Sequence, residues 1–106
     1  MYKNIKILCV CGKGNCRSVG TRICLNNRGY ANVIAIGTTN TSMNTLAMLW
    51  NWADLILLAK PTHNVFFPLS DKVYTKFTIG EDKWSNPYSK ELHKIINEQL
   101  DKVGLK

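Results

Sequence analysis

The chain has 106 residues, with 14 Lys and Arg against 7 Asp and Glu and a formal net charge of +7. That length fits one domain. Its 45% hydrophobic content and 20% charged residues exclude a disordered or low-complexity chain. No apolar run approaches the roughly 18 residues that cross a bilayer, and no signal-peptide pattern is present. The expectation is a single soluble, cytoplasmic domain over residues 1–106 with no membrane partner.

The charge is uneven. Residues 1–53 carry Lys3, Lys6, Lys13, Arg17, Arg22 and Arg28 and no acid, whereas residues 54–106 carry all seven acids against eight bases. An uncompensated basic half points to an anionic ligand, which composition alone does not identify.

Taken in chain order, Ile5 to Val10 reads as a buried strand running into the glycine-bearing segment that starts at Cys11. Arg17 to Arg28 has Val19, Ile23 and Cys24 at helical spacing, with Gly29 placed to end the helix. Val33 to Ile36 predicts a second strand. Ser42 caps a helix through Trp52 whose apolar stripe is Leu46, Leu49, Trp50 and Ala53. Leu55 to Ala59 is a third buried strand, and Pro61 to Phe67 a short helix. Lys72 to Ile79 alternates with period two, as an edge strand does. Asn86-Pro87 suits a helix start, and Leu92, Ile95, Ile96, Leu100 and Val103 form the buried face of a last helix ended by Gly104. The implied fold is α/β: a small, doubly wound, four-stranded parallel sheet with helices on both faces and a ligand loop after the first strand.

The chemistry concentrates in that loop, Cys11-Gly12-Lys13-Gly14-Asn15-Cys16-Arg17-Ser18, where five residues separate a cysteine from an arginine. Two glycines let successive N–H groups of residues 12–17 turn inward as an anion nest. The following helix adds the positive end of its dipole. Arg17 can clamp two phosphate oxygens with its planar fork, and Lys13 adds charge inside the loop. The same field favours a Cys11 thiolate, a nucleophile to which Ser18 can donate a hydrogen bond.

This loop resembles the signature of the low-molecular-weight protein tyrosine phosphatases and their small bacterial and phage relatives. Ala35-Ile36-Gly37-Thr38, Trp52-Ala53-Asp54-Leu55-Ile56-Leu57 and Trp84-Ser85-Asn86-Pro87-Tyr88 resemble further segments of that family. The resemblance implies a cysteine-dependent phosphatase acting on phosphotyrosine or a similar aryl phosphate through a phosphocysteine intermediate, with no metal and no cofactor. Its partners would be a phosphorylated protein or small aryl phosphate, with inorganic phosphate or sulfate held by the loop.

Carried over by residue, the resemblance makes Cys11 the nucleophile, Arg17 the phosphate clamp and Ser18 the thiolate stabiliser. Cys16 matches a second loop cysteine able to form a reversible disulfide with Cys11; otherwise it packs the loop. Two positions depart from the pattern: Gly14 stands where the family has its loop asparagine, three residues after the nucleophile, with Asn15 following, and Asn86 stands where the family has its acidic residue. An amide cannot donate the proton, so Asp82 is either the general acid or a solvated loop charge, with Glu81 the weaker substitute. Trp84 and Tyr88 either wall an aromatic substrate slot or pack the last helix.

Other classes fit less well. A phosphate- or phosphoprotein-binding domain with little turnover is the alternative that Asn86 raises. A phosphorylcysteine carrier of the sugar-transport type shares the fold, but Arg17 argues against it. Thioredoxin-linked arsenate reduction needs downstream cysteines, and none follows Cys24. All four cysteines fall within residues 9–24 with no histidine among them, a poor zinc pattern. No nucleic-acid-binding motif is present.

Overall fold

The computed structural model describes residues 2–12, 16–60, 72–74, 77–80 and 83–106. A short 3-10 turn at Tyr2–Asn4 leads into β1 (Ile7–Cys11), α1 (Arg17–Asn27), β2 (Val33–Gly37), α2 (Met43–Trp52), β3 (Leu55–Leu58), β4 (Val73–Tyr74) and α3 (Lys90–Lys102). The four strands form one parallel sheet in the order β2-β1-β3-β4. With β1 central, the chain winds outward to β2 and then crosses back to β3. The carboxyl ends of β1 and β3 therefore flank the point where the winding reverses, the place where open α/β sheets bind ligands.

All five residues of β1 are buried, because both faces of the sheet are covered. Alternate side chains serve alternate layers. Ile7, Cys9 and Cys11 meet Leu57 of β3, Cys24 and Leu25 of α1, and Leu92, Ile96 and Leu100 of α3. Leu8 and Val10 meet Ile36, Ile56, Leu58 and Leu46 of α2 on the opposite face. Each fully buried aliphatic side chain stabilises the fold by about 1.5–3 kcal/mol relative to exposure. The fold is thus the α/β class read from the alternation of strands and helices.

The helix ends follow local chemistry. Ser42 Oγ accepts from Thr45 N at 3.2 Å and caps α2. Both α1 and α3 end in Schellman motifs. Gly29 (φ 96°) and Gly104 (φ 80°) take the left-handed position. Tyr30 N donates to Leu25 O, Gly29 N to Asn26 O, Leu105 N to Leu100 O and Gly104 N to Asp101 O.

Gly20, costly in a helix interior by propensity, faces α3. A Cβ there would stand 3.0 Å from Ile96 Cδ1, 3.1 Å from Leu92 Cδ2 and 3.3 Å from the Pro87 carbonyl. Its absence lets the two helices approach closely. Arg28 closes the same pair at the other end, donating to the Asn97 side chain and carbonyl and to the Leu105 carbonyl, and pairing with Asp101 at 2.9 Å.

Two boundaries differ from the sequence reading. The last helix begins at Lys90, not at Asn86-Pro87: Ser89 Oγ accepts from Leu92 N, while Asn86 Oδ1 accepts from Tyr88 N in a turn before it. Both residues are good caps, and Ser89 is the one that caps the helix. Among the described residues of the alternating segment 72–79, Val73 and Tyr74 join the ladder, paired with Ile56 and Leu57, while residues 77–79 lie outside it. Farther on, Ile79 N and Gly80 N both donate to Ala59 O. The short helix expected at 61–67 lies outside the described residues.

Candidate active site

Cys11 is the last residue of β1 and Arg17 the first of α1, so strand and helix present both ends of the loop at the carboxyl edge of the sheet. Cys11 is 2% exposed, and its Sγ is hydrogen-bonded to Ser18 Oγ at 3.2 Å. In the thiolate form the hydroxyl is the donor, since a thiolate has only acceptor capacity. Arg17 is also 2% exposed, a degree of burial that guanidinium groups reach only when they are paired. Its Nη1 donates to the Gly80 carbonyl at 2.6 Å, and its carbonyl accepts from Thr21 Oγ1 at 2.8 Å. A Cβ at position 12 would lie 3.7 Å from Arg17 Nη2, so Gly12 and the guanidinium are neighbours.

Cys16 stands at the cap position of α1 without a side-chain cap bond, and its carbonyl accepts the first helical bond from Gly20 N at 2.7 Å. No acidic side chain occupies the first turn of α1. The positive end of the helix thus meets the loop with no carboxylate of its own, the arrangement that receives an anion. Lys13, Gly14 and Asn15 lie outside the described residues.

Backbone partners hold the loop's first residues. Thr38 N donates to Cys11 O at 2.9 Å, and Ala59 N to Val10 O at 2.8 Å. Gly12 O accepts twice from Thr39, from N at 2.8 Å and from Oγ1 at 2.7 Å. The sequence reading missed Thr39 and Gly80. Their signal is tertiary: β1 and β2 pair in parallel with Cys11 opposite Gly37, so the residues after Gly37 flank the loop.

The other candidates separate. Asp82 and Glu81 lie outside the described residues. Trp84 is half-buried against the cluster shared by α1 and α3, with the Lys83 ammonium 5.2 Å from its ring centre. Its indole N–H is buried and meets no hydrogen-bond acceptor among the described residues. Tyr88 is 69% exposed.

Cys9 and Cys24 are core thiols. All four cysteines are buried and outside any disulfide. Burial pushes the Cys9 thiol far up, outweighing the lowering effect of Arg22, and burial also raises Cys24 against Arg28. Both stay protonated and inert. Asp54, at the other end of the sheet, accepts from Lys6 N at 3.0 Å and fastens β3 to the segment before β1. Among the described residues no group of His, Cys, Asp or Glu is arranged to hold a metal, and no helix is long and apolar enough to cross a membrane.

No protein-family model matches the chain, and no curated protein matches it in sequence. Among solved structures, the YwlE arginine phosphatase from Geobacillus stearothermophilus is similar, with a TM-score of 0.59. The match covers 93% of this chain and 92% of that one at 17% sequence identity. At that identity the likeness is one of fold.

Proposed function

We propose that the protein is a cysteine-dependent phosphatase that hydrolyses phosphotyrosine or a similar aryl phosphate monoester. The observation that carries this reading is the arrangement at one loop: Cys11 Sγ on Ser18 Oγ at a helix N-terminus, with the buried Arg17 guanidinium beside Gly12. The shared fold with an enzyme named as an arginine phosphatase supports phosphate-group chemistry.

In the proposed reaction the Cys11 thiolate attacks phosphorus, an S–P bond forms and the P–O bond to the leaving phenol breaks. Arg17 and the loop's backbone N–H groups neutralise the equatorial oxygens. Asp82 protonates the leaving oxygen. Water then attacks phosphorus, giving its proton to the Asp82 carboxylate as the S–P bond breaks and phosphate leaves. Asp82 is two residues beyond Gly80, whose carbonyl Arg17 holds. Two residues of backbone span at most about 7 Å between Cα atoms, so covalent connection alone ties Asp82 closely to that anchor. Asn86 is engaged with Tyr88 N and is an amide, so it is not the acid. Ser18 steadies the thiolate, and Trp84 and Tyr88 are the aromatics proposed to wall a substrate slot.

The test is steady release of p-nitrophenol from its phosphate ester. Cys11→Ser abolishes it, and Asp82→Ala lowers kcat by about 10²–10⁴-fold, the usual worth of a general acid. A wild-type rate no higher than that of Cys11→Ser overturns the phosphatase. A rate unchanged in Asp82→Ala overturns the acid assignment. A phosphate- or phosphoprotein-binding domain is the second reading, favoured by the amide at position 86; it predicts phosphate or vanadate affinity without turnover.

A further inference from the structure

We propose that Thr39 is a positioning residue of the anion loop, acting through the Gly12 carbonyl; this rests on the phosphatase reading of the same site. The residue after Cys11 is a glycine beside the Arg17 fork, whose Nη2 would make an ordinary 3.7 Å contact with a Cβ there, and it has the backbone freedom that a side chain would remove. That freedom has a cost. A glycine-flanked peptide turns over easily, and the two orientations have opposite electrostatic meaning for a phosphate. A trans peptide carries its N–H opposite its carbonyl, so holding the Gly12 carbonyl on the Thr39 side leaves the N–H of that peptide for an anion on the other. Turned over, it would present a carbonyl dipole to the phosphate and repel it.

Thr39 decides between the two. It grips the Gly12 carbonyl from both its backbone N, at 2.8 Å, and its hydroxyl, at 2.7 Å. The neighbouring Thr38 N holds the preceding carbonyl, that of Cys11, at 2.9 Å, so the two peptides entering the loop are fixed from one side. Thr39 is exposed and belongs to neither core cluster, so its side chain supports little of the fold. Its hydroxyl spends its bond on the loop.

The experiment compares Thr39→Val, which keeps the shape and deletes the hydroxyl, with Thr39→Ser, which restores it. Inorganic phosphate affinity by calorimetry, kcat and KM for p-nitrophenyl phosphate, and melting temperature are measured for each. Thr39→Val weakens phosphate binding and lowers kcat/KM by about 3–10-fold, the worth of one hydrogen bond. Thr39→Ser stays within about twofold of the wild type, and both variants melt within about 2 °C of it. Equal phosphate affinity in Thr39→Val and the wild type overturns the proposal. So does a loss in Thr39→Ser as large as that in Thr39→Val, or a loss matched by a fall in melting temperature. A wild type that binds phosphate without turnover refutes the phosphatase while the affinities still decide the role of Thr39; one that binds no phosphate overturns both.

Discussion

The guanidinium of Arg17 donates to the carbonyl of Gly80 at 2.6 Å, a bond between residues 63 positions apart. Arg17 opens helix α1, and Gly80 ends the segment that Ala59 O holds against β3. One bond thus joins the anion clamp to the stretch of chain that leads to Asp82.

Gly80 carries φ +98°, and a Cβ there would meet nothing within 4 Å. Gly80→Ala therefore tests backbone conformation free of steric clash. The strain of a left-handed residue, about 1–2 kcal/mol, relaxes by turning the carbonyl away from Arg17. Stability by urea denaturation falls by up to that amount, and kcat/KM for p-nitrophenyl phosphate falls about 10-fold as the fork loses its aim. Wild-type kinetics in a destabilised Gly80→Ala would show that Arg17 does not depend on this carbonyl.

Ser18 stands 3.2 Å from the Cys11 sulfur. A hydrogen bond to a charged group is worth about 1.5–3 kcal/mol, so Ser18→Ala lowers kcat by about 10–100-fold with KM little changed. Single-turnover kinetics place the loss in formation of the thiophosphate or in its breakdown, where the thiolate departs. A Ser18→Ala enzyme with unaltered kcat would mean that the helix and loop amides stabilise the sulfur unaided.

Gly20→Ala sets two effects against each other. Alanine improves helix propensity by about 1 kcal/mol, but the new methyl meets two buried side chains at 3.0 and 3.1 Å and the Pro87 carbonyl at 3.3 Å. Leu92 and Ile96 are fully buried and have little room to yield. Overpacking costs about 1–3 kcal/mol, so the net change is a destabilisation of up to about 2 kcal/mol, read as a lower urea midpoint. A midpoint at or above the wild type would show that α3 shifts freely to accommodate the methyl.

The Cys9 thiol is raised by burial, so the folded protein keeps its proton where the unfolded chain, titrating near the ordinary value of about 8.5, releases it. The folded state then binds more protons, and stability is present in full below that value and declines as pH rises above it. The slope per thiol reaches about 1.4 kcal/mol per pH unit. Cys24, raised by burial as well, adds to the decline. Urea midpoints between pH 7 and 9.5 check this: Cys9→Val flattens the decline, and a slope identical to the wild type would sink the assignment.

Much of the candidate site could be read from one strand, one loop and one helix start, because Cys11, Arg17 and Ser18 lie within eight consecutive residues. Their roles follow from spacing: a strand delivers the sulfur, glycines permit the curl, and a helix begins at the arginine. The parallel sheet was legible for the same reason, since apolar runs of four to six residues alternate with 3.6-period segments. Charge was more ambiguous. Arg28 spends its guanidinium joining α1 to α3, and Lys3 donates to the Arg28 carbonyl beside the Tyr30 ring, so part of the basic half is structural.

Contacts that join distant parts of the chain were settled only by the packed structure. Thr39 reaches Gly12 across 27 positions, and Gly80 reaches Arg17 across 63, because the strand order β2-β1-β3-β4 brings the ends of β2 and β3 to either side of β1. Neither partner has a distinctive local pattern: one is a threonine after a strand, the other a glycine in a loop. The start of the last helix was undetermined for a related reason. Asn86 and Ser89 are equally good caps, and only the folded chain assigns the first to a turn and the second to the helix. Local spacing specifies which groups can do chemistry; long-range pairing specifies which backbone groups hold them in place, because a hydrogen bond across the fold leaves no periodicity in the chain.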